Sequence, residues 1–301
     1  MSTSRKSILF NDAHANLGPL ADLRPPHAIR TGALTTAERL TRAFDLEPIG
    51  IVVSNELKEL TEDQSGVPVN QPPEESDEPI LLINGRCPLP IEAIRDLNLG
   101  EVLIEASTKD MVAVCLTSSN VRELLSGGNP EMKAIEIDDT VLMRTPWDWR
   151  AFRDRCLDYD LKAIVPTMPT VTEPPTGVMI LGAEGVAIHP DAVVMPGVIL
   201  NSELGAIVID ENATIRPGTI ITGPAYIGPG STVLEQSNIK PNTAIGPVCK
   251  VAGEIGGTIF QDGKNRPNLP RRHDGRPLQN RDRHPHHDRR DCRDWDHVRR
   301  I

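Results

Sequence analysis

Aromatic residues are scarce in this chain: Phe, Trp and Tyr together make up 3% of the 301 residues, although apolar residues as a whole reach 39%. A core of ordinary apolar content with so few rings is filled by Val, Ile, Leu and Ala, as in stacked β-coils. The same shortage excludes a ligand groove built on aromatic stacking. The length is enough for two domains, each with its own core.

Long hydrophobic runs and cysteine motifs are also lacking. No stretch of about 18 apolar residues occurs, and the first ten residues, MSTSRKSILF, contain no signal-peptide core. We therefore expect a cytoplasmic protein with no membrane partner. The five cysteines lie far apart without a C-x-x-C pair, which argues against a zinc cage or a disulfide framework.

Charge is distributed unevenly along the chain. Residues 262–301 carry 12 Lys and Arg against 7 Asp, whereas residues 1–261 carry 20 basic residues against 35 acidic ones. Because the acidic body repels nucleic acid, we expect no nucleic-acid partner.

A six-residue repeat dominates the second half of the chain. Aliphatic residues recur eight times without a miss, at Ile209, Ile215, Ile221, Ile227, Val233, Ile239, Ile245 and Val251. Of the eight residues that lie two positions before these aliphatic residues, seven are small. An α-helix has no six-residue period, and an antiparallel sheet alternates every two residues. This pattern predicts a left-handed parallel β-helix of hexapeptide repeats, with the aliphatic side chains inside the prism.

The repeat also sets the domain boundaries. Ile188, Val194 and Leu200 keep the same spacing but are three residues out of phase with Ile209, so residues 201–206 are predicted to be a loop inserted at a corner. The three hexads of this block and the eight that follow make eleven, which is about 3.7 coils of three hexads each. We predict an N-terminal domain at 1–165, a Pro-rich linker at 166–177, and the β-helix at 178–261.

The first 165 residues have an α/β pattern. Short β-branched runs at 7–10, 49–53, 80–83, 102–104 and 111–116 predict strands, and the stretches 36–44, 91–97, 120–125 and 147–161 predict helices. This alternation favours a mainly parallel sheet that is covered by helices.

Several segments resemble a known family. They are ILFND at 8–12, NLGPLADLRPPHAIRTGALTTAERL at 16–40, TPWDW at 145–149, GPAYIGPGS at 223–231 and IGPVCKVAGEIGGTIFQ at 245–261. The chain is similar over residues 7–261 to the GlmU-like sugar nucleotidyltransferases, and its repeat resembles the hexapeptide acyltransferases. The resemblance implies a nucleotidyltransferase-like N-terminal domain, followed by a homotrimeric β-helix that binds acyl-CoA between subunits.

The resemblance also implies a nucleotide site, for which the chain offers few residues. Such a site needs basic groups on a triphosphate and carboxylates on Mg²⁺. Arg24 and Arg30 are the candidate phosphate ligands, and Asp12, at the end of the first strand, is the candidate metal ligand. Asp12 is alternatively a turn former in a solvated loop, and Arg24 a member of an intramolecular ion pair. A Gly-rich loop is missing, and Arg86 stands where the family has a metal-binding Asp.

For acyl transfer from acetyl-CoA, the resemblance implies a histidine that removes a proton from the attacking amine or hydroxyl. His273, followed by Asp and Gly, is the candidate base, although it lies farther along the chain than the family pattern places it. Residues 262–301 contain five of the eight histidines and almost no aliphatic residues, so we expect a disordered tail. Its composition is typical of a basic segment that binds anions, or of a coding sequence that is translated in a shifted reading frame.

Two classes of function follow. The first is a GlmU-like transferase of sugar-nucleotide metabolism that acts on sugar phosphates, nucleoside triphosphates or acyl-CoA. The second is a non-catalytic trimeric scaffold or regulatory ligand-binding protein that has lost both active sites. A third hypothesis, within the first class, keeps only the β-helix active, as an O- or N-acyltransferase. The residues that depart from the family pattern favour the second class for the N-terminal domain, and the segment GEIGGTIF at 253–260 favours acyltransferase ancestry for the β-helix.

Overall fold

A six-stranded mixed sheet forms the centre of the N-terminal domain in the computed structural model, which describes residues 4–12, 14–182 and 185–263. Its strands are β1 (Arg5–Phe10), β2 (Leu46–Val52), β3 (Ile80–Asn84), β4 (Glu101–Glu105), β5 (Met111–Leu116) and β6 (Lys133–Ile137). The strand order is β2-β1-β3-β5-β4-β6, and β5 runs antiparallel to both of its neighbours. The predicted α/β domain with a mainly parallel sheet is confirmed.

Five α-helices accompany this sheet in the described residues. They are α1 (Thr36–Phe44), α2 (Asn55–Gln64), α3 (Glu92–Arg95), α4 (Ser118–Leu125) and α5 (Pro146–Ile164). Helix α1 begins at a capping box, because the Thr35 hydroxyl accepts from the Glu38 backbone N–H at 3.2 Å and Glu38 accepts from the Thr35 N–H at 2.8 Å. Four of these helices match predicted ones, whereas α2 and strand β6 were not predicted.

Short parallel strands then stack into three sheets, as a β-helix requires. The strands are β7 (Met179–Leu181), β8 (Val186–Ile188), β9 (Val193–Val194), β10 (Ile199–Asn201), β11 (Ile207–Ile209), β12 (Thr214–Ile215), β13 (Ile220–Thr222), β14 (Ala225–Ile227), β15 (Thr232–Val233), β16 (Asn238–Ile239), β17 (Thr243–Ile245), β18 (Lys250–Val251), β19 (Glu254–Ile255) and β20 (Ile259–Phe260). Each pairs with the strand one coil away, so that Ile209, Ile227 and Ile245 lie in register. All eight repeat aliphatics are buried in one core.

The β-helix has more coils than the repeat predicts. Fourteen strands occur between Met179 and Phe260, where eleven hexads were counted. The count misses three strands. Strand β7 was missed because Ile180 lies eight residues before Ile188 instead of six. Strands β19 and β20 were missed because the last coil is short: Ile255 pairs with Ile239, only 16 residues earlier. The predicted corner insertion is confirmed between β10 and β11.

The two domains share a hydrophobic cluster. One outer face of the β-helix contributes Val208 and Tyr226, and helix α5 contributes Leu157 and Leu161. All four side chains are buried. The Pro-rich segment therefore connects two parts of the chain that pack directly on each other.

Helices of the described residues are all too short or too polar to cross a bilayer. The cytoplasmic location stays a prediction.

Candidate functional site

The carboxyl ends of three parallel strands bring charged residues together. Strand β1 ends just before Asp12, β3 just before Arg86, and β4 at Glu105. Ligands of open α/β sheets bind outside this edge, so it is the place where a substrate site is expected. We call the residues Asp12, His14, Arg86, Glu105, Asp110 and Arg144 the edge cluster.

Arg86 and Asp12 form a bidentate ion pair at the centre of the edge cluster. Arg86 Nε donates to Asp12 Oδ1 at 2.9 Å, and Arg86 Nη2 donates to Oδ2 at 2.5 Å. Asn84 adds a third donor to Oδ2 at 2.8 Å. The side chains of Arg86 and Asp12 are 0% and 3% exposed. Both carboxylate oxygens of Asp12 are thus engaged by buried donors.

Asp110 connects the other residues of the edge cluster to the Arg86–Asp12 pair. His14 Nδ1 lies 3.0 Å from Asp110 Oδ1, Arg86 Nη2 lies 3.1 Å from Oδ2, and Arg144 Nη2 lies 3.2 Å from Oδ2. Arg144 also pairs with the buried carboxylate of Glu105. Burial acts to raise the pKa of Asp110, but the hydrogen bonds from His14 and Arg86 outweigh it and lower that pKa below its ordinary value.

The edge cluster does not fit a Mg²⁺ ion. Ligand atoms of Asp12, His14 and Asp110 lie within 4.8 Å of one another, a spacing that a cation can bridge. Mg²⁺, however, needs oxygen ligands at about 2.0–2.1 Å in octahedral geometry. The guanidinium of Arg86 already holds both Asp12 oxygens and one oxygen of Asp110. A metal ion would have to displace this buried cation, and a metal role for Asp12 stays a prediction.

Arg24 and Arg30 lie elsewhere, at the junction with the β-helix. Arg24 Nη1 donates to Gln261 Oε1 at 3.0 Å, and Arg30 Nη2 pairs with Asp262 at 3.1 Å. Arg30 is 3% exposed and also donates to the Ala33 carbonyl. Their contacts with Gln261 and Asp262 join the two domains, and the contact of Arg24 is a hydrogen bond to a neutral amide rather than an ion pair. A phosphate-binding role for either residue stays a prediction.

His273 and the rest of the tail beyond Gly263 lie outside the described residues. The acyl-transfer base and the disorder of the tail therefore stay predictions.

Sequence reasoning missed most of the edge cluster. Asp12 was found because it ends a strand, and Arg86 because it replaces an expected Asp. Glu105 also ends a strand, so the same rule was available for it. Asp110 and Arg144 belong to the cluster only through the pairing of β4 with β5 and the loop before α5, which no local pattern reveals.

Comparison with known proteins agrees with this architecture. A family model described as sugar nucleotidyl transferase matches residues 7–166, just over half of the chain, which covers the six-stranded sheet and its helices. No curated protein matches the chain. The chain belongs to the sugar nucleotidyl transferase family.

Proposed function

We propose that the protein is a GlmU-like transferase of sugar-nucleotide metabolism in which transfer chemistry belongs to the β-helix, because the N-terminal edge cluster is closed by its own ion pairs. Membership of the sugar nucleotidyl transferase family supports small phosphorylated ligands. The stacked parallel sheets that follow support a hexapeptide-repeat partner domain.

The Arg86–Asp12 pair is the observation that argues against nucleotidyl transfer at the edge cluster. Nucleotidyl transfer requires free carboxylates for the metal and free cations for the triphosphate. In the edge cluster, Asp12 already neutralises Arg86, and Glu105 with Asp110 already neutralises Arg144. A phosphate that approached Arg86 would have to displace buried carboxylates from a side chain with no exposed surface.

Two assays on the full chain test this proposal. The first incubates nucleoside triphosphates with sugar 1-phosphates and Mg²⁺ and measures pyrophosphate, for which we expect background rates. The second incubates acetyl-CoA with amino sugars and measures free coenzyme A, for which we expect turnover. Pyrophosphate release that disappears in Asp12→Ala would overturn the assignment of chemistry to the β-helix.

The proposed acyltransferase is a homotrimer that binds acetyl-CoA between subunits. Apolar side chains on an outer face of the prism support assembly, since Met179, Leu181 and Ile220 are 54%, 41% and 39% exposed on one sheet. Light scattering is expected to give three times the monomer mass, and a stable monomer would contradict the trimer.

A second candidate is a non-catalytic trimeric scaffold or regulatory ligand-binding protein. The paired side chains of the edge cluster favour it, because Arg86 and Arg144 hold together the loops at this edge of the sheet. A trimer that releases neither pyrophosphate nor coenzyme A would favour this candidate over the transferase.

A further inference from the structure

Helix α2 carries three exposed carboxylates on one side. They belong to Glu56, Glu59 and Asp63, which are spaced three and four residues apart and therefore share a face of the helix. None of these side chains forms a hydrogen bond or an ion pair with another described residue. Lys58, the one basic residue of α2, points to a different side and pairs with Glu62 at 3.9 Å. We call Glu56, Glu59 and Asp63 the acidic stripe.

The charges of α2 are unfavourable for a helix without a partner. Glu59 and Asp63 are like charges four residues apart, which destabilise a helix. Asp63 also lies in the last turn, where the helix dipole favours cations, and that turn has no basic residue. Burial contributes little, because Thr61 is the one buried residue of α2. A cationic partner at the C-terminal end of α2 would offset both unfavourable terms.

The described part of the chain ends beside this end of α2. Asp262, one residue before the last described one, lines a cavity of about 220 Å³ together with Gln64 and Ser65. Gln64 directly follows Asp63 of the acidic stripe. The residues that continue the chain beyond Gly263 therefore start next to the stripe.

The segment that follows Gly263 has the complementary charge. Residues 264–276, KNRPNLPRRHDGR, contain five Lys and Arg against one Asp. The acidic stripe is about 10 Å long, at a rise of about 1.5 Å per residue. From Gly263 to Arg271 the chain can span up to about 26 Å. Arg271 and Arg272 can therefore reach either end of the stripe.

We propose that residues 264–276 bind the acidic stripe of α2 through Arg271 and Arg272. Because the segment and the stripe belong to one chain, the effective concentration of these arginines at the stripe is on the order of millimolar. Exposed ion pairs that are individually weak then suffice for the contact. The contact connects the chain beyond the β-helix to the N-terminal domain, and it does not depend on which transferase chemistry the protein performs.

Amide hydrogen exchange of α2 in the full chain tests this contact, with helix α4 as the internal reference. We expect α2 to exchange at least about threefold more slowly in roughly 10 mM salt than in roughly 1 M salt, where charges are screened beyond about 3 Å. The repulsion within an uncovered stripe has the opposite salt dependence, because screening weakens it and stabilises the helix. Exchange of α2 that is faster in low salt, or that does not depend on salt, would overturn the proposal.

Matched charge reversals in the full chain identify the segment that binds. Arg271→Glu with Arg272→Glu is expected to abolish the slow exchange of α2 in low salt. Arg299→Glu with Arg300→Glu makes the same change of charge outside the proposed segment and should leave the exchange of α2 unchanged. An equal effect of the two double variants would show that net charge alone attracts the tail, and would contradict the proposal.

Reversal of both partners tests the pairing itself. When Glu59→Lys and Asp63→Lys are added to Arg271→Glu with Arg272→Glu, the signs on the helix and the segment are exchanged, so the salt-sensitive protection of α2 should return. Failure of this rescue would contradict direct pairing. Protection in the parent that weakens on dilution would assign the stripe to another copy of the chain and overturn the contact within one chain.

Discussion

Gln261 pairs its side-chain amide with both backbone polar groups of Arg30. Its Oε1 accepts from the Arg30 N–H at 2.9 Å, and its Nε2 donates to the Arg30 carbonyl at 2.9 Å. Trp149 Nε1 donates to the same carbonyl at 3.1 Å. The last described coil of the β-helix is thereby joined to the loop before α1, and helix α5 is joined to that loop as well.

Replacing Gln261 should weaken the domain junction. Gln261→Leu removes its bonds to Arg30 and Arg24 and leaves the backbone N–H of Arg30 without its partner, while the Arg30 carbonyl keeps the indole N–H of Trp149. The expected cost is about 1–3 kcal/mol of unfolding free energy, measured by urea denaturation. Gln71→Leu is the control, because Gln71 is exposed. Equal stability of the two variants would show that Gln261 does not hold the junction.

Asp160 is expected to be essential for stability. Arg39 Nε and Nη2 donate to its two oxygens at 2.6 and 2.7 Å, and both side chains are 0% exposed. Asp160→Ala leaves a buried guanidinium without its counter-charge, which costs about 3–5 kcal/mol. Asp158→Ala on the same helix breaks only an exposed pair with Lys162, worth at most about 1 kcal/mol. Similar urea midpoints for the two variants would contradict this ranking.

The fold was largely predictable where local patterns are strong. The hexads predict the β-helix because each inward position must be aliphatic, and Thr35 with Glu38 marks the start of α1. Strand β6 was not predicted because it lies at the edge of the sheet and buries little surface. Its sequence, KAIEI, mixes charged and apolar residues. Helix α2 was not predicted because it buries only Thr61 and therefore has no apolar stripe in its sequence.

The site was less predictable, because it depends on contacts between distant segments. Arg30 resembles a phosphate ligand in sequence, yet its partner Asp262 lies 232 residues away on the β-helix. Arg86 was recognisable as a departure from the family pattern, but its bidentate pairing with Asp12 follows from the adjacency of β1 and β3. Periodicity carries no information about such pairs.

The centre of the prism should not tolerate a charge. Ile227 is 0% exposed inside the β-helix core, so Ile227→Asp buries an unpaired carboxylate and is expected to cost more than about 4 kcal/mol. Val193→Asp, at a position that is 50% exposed on β9, should change stability far less. Circular dichroism melts test the pair, and an Ile227→Asp melt within a degree or two of the parent would disprove the inward register.

Stability should fall between pH 6.5 and pH 4 because of His27. Burial lowers its pKa in the folded protein from 6.5 to about 4, so below pH 6.5 the unfolded chain takes up a proton that the folded protein does not. Stability therefore rises with pH across this window, by up to about 3 kcal/mol. In His27→Phe this contribution is absent, and its urea midpoint should vary less over the same range. Identical pH profiles would show that His27 titrates normally.

Binding of Mn²⁺, followed by electron paramagnetic resonance, tests most directly whether Arg86 occupies the cation position of the edge cluster. The parent protein is expected to show no Mn²⁺ site at Asp12 tighter than about 1 mM. Arg86→Met removes the guanidinium that Asp12 and Asp110 share and should create a Mn²⁺ site tighter than about 1 mM, which Asp12→Asn in the same background removes. Micromolar Mn²⁺ binding by the parent protein that is lost in Asp12→Asn would contradict the account.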